Sequence, residues 1–172
     1  SKKFIFGISI ESHLAYTDDK YENNEINVSA KGLNQSQIKE IETYSQGLKH
    51  FDEAIKTLVD YLKEKDEKVM LVVFGDHLPA FNTLYDKVYG ESLSKYQTPY
   101  LIWTNYEGNI KIEKEISIPG LAMRTLENAN IELPWYYKYI SEFYNEYPVF
   151  TKKFIKDKNG NSLDINLRNE LI

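Results

Sequence analysis

The chain has 172 residues, 42% hydrophobic and 27% charged, a globular composition that argues against long disorder. A formal net charge of −5 argues against a dedicated nucleic-acid binder, and the lack of cysteine excludes a disulfide scaffold, an Fe–S cluster, a thiolate zinc site and a cysteine nucleophile. No apolar run reaches the ~20 residues of a membrane span, no N-terminal segment has signal-peptide character, and the first residue is Ser1 rather than Met, as in a chain trimmed from a longer one.

Lys3 to Ile10 (KFIFGISI) reads as a short buried strand, rich in β-formers and without polar alternation. Glu11 to Gln35 is polar, with Asp18, Asp19, Asn23, Asn24 and Gly32, and is expected to be a long functional loop. Ile38, Ile41, Tyr44, Leu48, Phe51, Ile55, Leu58 and Leu62 then recur at helical spacing, which predicts an amphipathic helix from about Ser36 to Lys65, capped by Asn34 or Ser36. Val69 to Phe74 is almost wholly apolar, the pattern of a strand buried on both faces. A long helix followed by such a strand suggests half of a β-α-β crossover. A short helix is expected over Thr83 to Tyr89 and a strand over Tyr100 to Thr104, with Pro99 at its entrance. Ile118 to Asn130 reads as a helix with Pro119 near its start and Leu121, Thr125 (or Leu126) and Ala129 facing inward. A second helix runs from about Pro134 to Tyr147, with Trp135, Tyr139 and Phe143 on one side. Val149 to Ile155, the turn signal Asn159-Gly160, and Ser162 to Ile165 form a terminal hairpin.

The sharpest chemical feature is Gly75-Asp76-His77, directly after the second apolar run. Ligands of open α/β sheets bind beyond the carboxyl ends of strands, and an Asp and a His there offer oxygen and nitrogen ligands to a divalent metal. The plainer reading is a loop start, with Asp76 capping and His77 solvated. His13 follows the first apolar run, so parallel strands would bring it to the same sheet edge as Asp76 and His77. His50 is mid-helix and reads as a surface or interfacial residue; Glu11 reads as a loop cap, or else as a ligand or base. Ser9, Ser12 and Thr17 lie near His13 but in no activating motif, and neither a P-loop nor a dinucleotide fingerprint is present. Lys152, Lys153, Lys156 and Lys158 read as a solvated face, the alternative being contact with anionic lipid.

The motif order FGISIESHLAY, long helix, VMLVVFGDHLPAF, TPYLIWTNY resembles the sulfatase-type branch of the alkaline phosphatase superfamily. Within it, the sequence is most similar to the lipoteichoic acid synthase and phosphoglycerol transferase group, and ISIPGLAMRTLENANIELPWYYKYI resembles the helix and aromatic segment that follow there. The resemblance spans about Phe4 to Tyr147. It implies that Asp76 and His77 ligate a divalent cation, manganese first, with zinc, magnesium or calcium as alternatives. It also implies that His13 contacts the phosphoryl or glycerophosphate group. The family's Thr or Ser nucleophile and first acidic ligand are expected upstream of Ser1. Glu11-Ser12 departs from the Gln or Asn that the family more often has beside the histidine.

The resemblance further implies a domain over residues 1–172 that is the C-terminal half of a larger catalytic domain, inactive alone. The full-length protein is expected at the extracytoplasmic face of a bacterial membrane, attached through an N-terminal region, acting on a lipid-linked or polymer phosphodiester. The expected fold is an α/β three-layer sandwich with a mostly parallel central sheet, flanking helices and a C-terminal hairpin. Its sheet edge would be open to dimerisation. The alternative is a non-catalytic module binding a glycopolymer or a protein, which the 14 Tyr residues suit. A third reading is a cytoplasmic metal-dependent hydrolase of unrelated fold.

Overall fold

The structure, a computed structural model, describes residues 2–81, 84, 90, 92–108 and 110–171. They fall into two units, Ser1–Glu67 with Gly75–Thr98, and Lys68–Phe74 with Pro99–Ile172. No described helix is long and apolar enough to cross a membrane.

The first unit is organised by α1, Gln35–Lys63. Asn34 is its cap: Asn34 Oδ1 accepts the Gln37 N–H at 2.9 Å, and Gln37 Oε1 accepts the Asn34 N–H at 3.1 Å. The apolar stripe expected to face inward is only half-buried, with Leu48 and Leu58 exposed. The residues α1 does bury are Thr43, Gln46 and Gly47, which with His50 stand three, four and seven positions apart on one face. That polar face receives the long loop. Thr43 Oγ1 donates to the Thr17 carbonyl (3.4 Å), Gln46 Oε1 accepts the Glu25 N–H (2.9 Å) and Glu42 Oε1 accepts the Val28 N–H (2.9 Å). Lys39 and Lys49 add ion pairs to Asp18 and Glu25. Side chains of α1 thus satisfy backbone groups that a loop without secondary structure would leave open.

Residues 3–10 form no helix or strand among the described residues, and Phe4, Ile5, Phe6, Ile8 and Ile10 are exposed, Phe4 at 89%. The buried strand expected there is therefore corrected: the run has strand chemistry without a partner strand. The helix expected over Thr83 to Tyr89 lies, but for Leu84, outside the described residues.

In the second unit β1, Met70–Phe74, pairs with β2, Tyr100–Thr104, in register from Met70 opposite Thr104 to Phe74 opposite Tyr100. The α/β class holds, but every pairing among the described residues is antiparallel, not parallel. The register gives the reason: the chain leaves at Phe74 and re-enters opposite it at Tyr100, as in a long hairpin. β1 is half-buried, with Phe74 exposed, rather than covered on both faces.

Helix α2, Ile118–Asn128, starts with Pro119 in its first turn and buries Gly120, Leu121, Met123 and Arg124. Leu121 faces inward as expected, whereas Thr125, Leu126 and Ala129 are half-buried. The buried Arg124 is neutralised by Glu113 and Glu127 and donates to Asn145 Oδ1 at 3.3 Å. Helix α3, Trp135–Glu146, half-buries one member of its expected aromatic face: Phe143 meets Phe150 edge-on at 4.8 Å, while Trp135 and Tyr139 are 79% and 80% exposed. The terminal hairpin is a three-stranded sheet of β3, Val149–Phe150, β4, Ile155–Lys156, and β5, Ser162–Leu163. Its β4–β5 turn holds Gly160 at φ +84° and is closed by Asp157 Oδ1, which accepts the Asn159 and Asn161 N–H groups at 2.9 and 2.8 Å. Lys156 and Lys158 pair with Glu115 and Glu146.

Candidate functional site

The Gly75-Asp76-His77 turn belongs to the first unit. Thr98 Oγ1 donates to the Gly75 carbonyl at 2.6 Å, and a Cβ on Gly75 would stand 3.0 Å from the Thr98 Cβ, so a side chain here would press on its anchor. Asp76 Oδ1 accepts the His77 N–H at 2.9 Å. His77 Nδ1 lies 2.8 Å from the Leu78 carbonyl, which can only accept. A ring proton is thereby placed on Nδ1, which leaves Nε2, 3.7 Å from Asp76 Oδ1, as the nitrogen open to a ligand. Both side chains are exposed.

His13 is held in the same way. Its Nδ1 donates to the Leu14 carbonyl at 3.1 Å, its N–H closes a turn onto the Ile10 carbonyl at 3.1 Å, and its own carbonyl accepts from Lys20. The structure brings the His13 and His77 rings together, edge to face, with centroids 6.1 Å apart. Three aromatic rings tie the two loops to α1: Tyr16, three residues after His13, meets Tyr44 of α1 at 5.7 Å and Phe81, four residues after His77, at 5.1 Å. Tyr44 and Phe81 meet at 5.2 Å. Burial pushes the Tyr16 and Tyr44 hydroxyls above their ordinary range, and for Tyr16 the neighbouring Tyr44 phenol adds to it.

Two residues read from sequence as bland belong to this arrangement. His50 Nδ1 faces Glu11 Oε1 at 2.8 Å, and Gln46 Nε2 lies 2.9 Å from His50 Nε2. Tyr21 packs edge-on against the His50 ring at 4.8 Å and donates its hydroxyl to the Glu11 carbonyl. A Cβ on Gly47 would stand 3.0 Å from both the Glu11 carbonyl oxygen and the Ser12 Cα, so the loop approaches α1 where only glycine leaves room. The available signal was the second stripe Thr43, Gln46, Gly47, His50, small and polar at helical spacing. Of the candidate nucleophiles, Ser9 Oγ accepts the Glu11 N–H at 3.4 Å, and Ser12 and Thr17 contribute carbonyls that accept from Tyr16 and Thr43. Among the described residues, no group of three or more His, Asp or Glu is placed to hold a metal ion.

Comparison with known proteins adds three findings. Residues 1–122 match the Sulfatase family model. A putative cyclic beta-1,2-glucan modification protein of Rhizobium meliloti (strain 1021) is 31% identical over 170 residues, covering 91% of this chain and 26% of the relative. The Streptococcus pyogenes phosphoglycerol transferase GacH, solved in complex with sn-glycerol-1-phosphate, superposes with a TM-score of 0.65 at 20% identity, over 80% of this chain and 35% of that one. The chain thus spans about a quarter of its curated relative and about a third of the solved one. The likeness to the solved structure shows the fold, an α/β one shared with part of that phosphoglycerol transferase. With the family match extending over the larger part of its length, the chain belongs to the Sulfatase family.

Proposed function

We propose that this chain supplies part of the catalytic domain of a metal-dependent phosphoglycerol transferase or related phosphodiester-cleaving enzyme. The full-length protein would work at the extracytoplasmic face of a bacterial membrane, attached through a segment preceding this one. One observation carries the reading: in a Sulfatase-family chain, loops more than sixty residues apart bring the His13 ring within 6.1 Å of the His77 ring, beside Asp76. The carbohydrate named for the 31%-identical relative supports a glucan hydroxyl as acceptor, and the solved relative's glycerol phosphate supports a glycerophosphoryl donor.

The donor set at Asp76 and His77 fits a divalent cation. A carboxylate oxygen and an imidazole Nε2 stand 3.7 Å apart, and the other ring nitrogen is fixed by a carbonyl, as in metal-binding histidines. Such a cation, manganese by preference, would supply Lewis-acid stabilisation of charge on a phosphoryl oxygen. With its Nδ1 donating to the Leu14 carbonyl, His13 would donate from Nε2 to a phosphoryl oxygen only as the imidazolium, and the Tyr16–Tyr44–Phe81 cluster holds its distance from His77. Asp76 Oδ1 also caps the turn by accepting the backbone N–H of His77. The nucleophile and a further acidic ligand come from outside these residues, so the chain alone turns over little or no substrate.

In the full-length protein, Asp76→Ala and His77→Ala should each reduce phosphodiester turnover by at least ~100-fold while circular dichroism and melting temperature stay near wild type. EDTA should have the same effect, reversed by Mn2+. Wild-type turnover in either variant would remove the ligand assignment. A second reading, a glycan-binding surface, is favoured by the exposed Trp135 and Tyr139 rings on α3, whose faces can stack on sugars. Glucan binding that survives EDTA, with no turnover, would favour it.

A further inference from the structure

The hydrogen bonds behind the His13 loop run in one direction. Gln46 Oε1 accepts the Glu25 N–H at 2.9 Å, so the amide nitrogen is the end turned to His50 Nε2, 2.9 Å away. That nitrogen donates, which makes His50 Nε2 the acceptor and leaves the ring proton on Nδ1, aimed at Glu11 Oε1 at 2.8 Å. Gln46 is 2% exposed, so its amide is fixed away from solvent, while the His50 and Glu11 side chains it positions are 34% and 45% exposed. The Tyr21 hydroxyl holds the Glu11 carbonyl, and Gly47 admits the same peptide against α1. His13 stands two residues further along.

The geometry points to His50 as a positioning residue. By donating Nδ1–H to the Glu11 carboxylate, it fixes the backbone run that presents His13 to His77. The inference rests on the proposed role of His13 and deepens it, since His50 acts through Glu11 rather than on substrate. A misplacement of about 1 Å in such a run is enough to cost on the order of 100-fold in rate.

The test uses the full-length protein with Mn2+ and bis(p-nitrophenyl) phosphate as probe. Asn puts its amide nitrogen where His50 has Nδ1, and Gln puts its own where His50 has Nε2. His50→Asn therefore keeps the donor to Glu11, and His50→Gln loses it. We expect His50→Gln and Glu11→Ala each to lower kcat/KM by about 10- to 100-fold, and the double variant to fall no lower than the worse single one. His50→Asn should recover most of the loss, with Mn2+ affinity unchanged throughout. Equal losses in the Asn and Gln variants would assign His50 a packing role and overturn the inference. So would wild-type kcat/KM in His50→Gln beside an inactive His13→Ala, and the reading of the site would then stand. Wild-type activity in His13→Ala would overturn both.

Discussion

Gly47 sits mid-helix, where alanine is the better helix former by about 1 kcal/mol. Its added methyl would nevertheless meet two backbone atoms of the His13 loop at 3.0 Å, and overpacking of that kind costs about 1–3 kcal/mol. Packing therefore outweighs propensity, and Gly47→Ala should lower the melting temperature of the full-length protein and raise proteolytic cutting within residues 11–25. A higher melting temperature would mean that the loop does not press on α1. Asp76, His77 and His13 were legible in the sequence because each follows an apolar run, where a polar residue is conspicuous. The role of His50 was not, because a helix is read by its apolar stripe, and a histidine flanking Leu48 and Phe51 counts as surface or interfacial with nothing to say what it meets. Its partner Glu11 lies 39 residues away, beyond any local pattern.

At the scale of elements, boundaries were easier to read than partners. The span Tyr100–Thr104 came out as expected, and α1 begins one residue early, after the Asn34 cap. Asn34→Ala removes an acceptor from the first turn and should cost about 1 kcal/mol, measurable as a shift in the denaturation midpoint with unchanged slope. An unchanged midpoint would show that docking of the loop, rather than the cap, fixes where α1 starts. Strand direction was not legible, since an apolar run states that it is to be covered but not by which neighbour or in which sense. β1 shows this: its five residues are strand-forming by composition, yet only the return of the chain at Tyr100 makes the pair antiparallel. For α3, helical spacing correctly grouped Trp135, Tyr139 and Phe143 but could not tell that only Phe143 finds cover.

Across the molecule, burial is the leading cause that lifts the hydroxyls of Tyr16, Tyr44, Tyr100 and Tyr144 above the ordinary value of 10.0. The folded chain holds these protons more tightly than the unfolded one. Their contribution is therefore whole below pH 10.0 and is lost as the pH climbs through the raised folded values. The melting temperature should fall once the pH exceeds about 10, in step with phenolate absorbance, and Tyr16→Phe and Tyr44→Phe should make that fall shallower. An equally steep fall in both variants would place the alkaline sensitivity elsewhere. The exposed apolar run Phe4–Ile10 has a different reach. It ends at the carbonyl that accepts the His13 N–H, so any strand that pairs with it sets the register from which the His13 loop is measured. A slip of one residue in that pairing would carry the loop about 3.3 Å along its track, further than a hydrogen bond tolerates. In the proposed site, correct assembly at this seam and the placing of His13 beside His77 would then be one event.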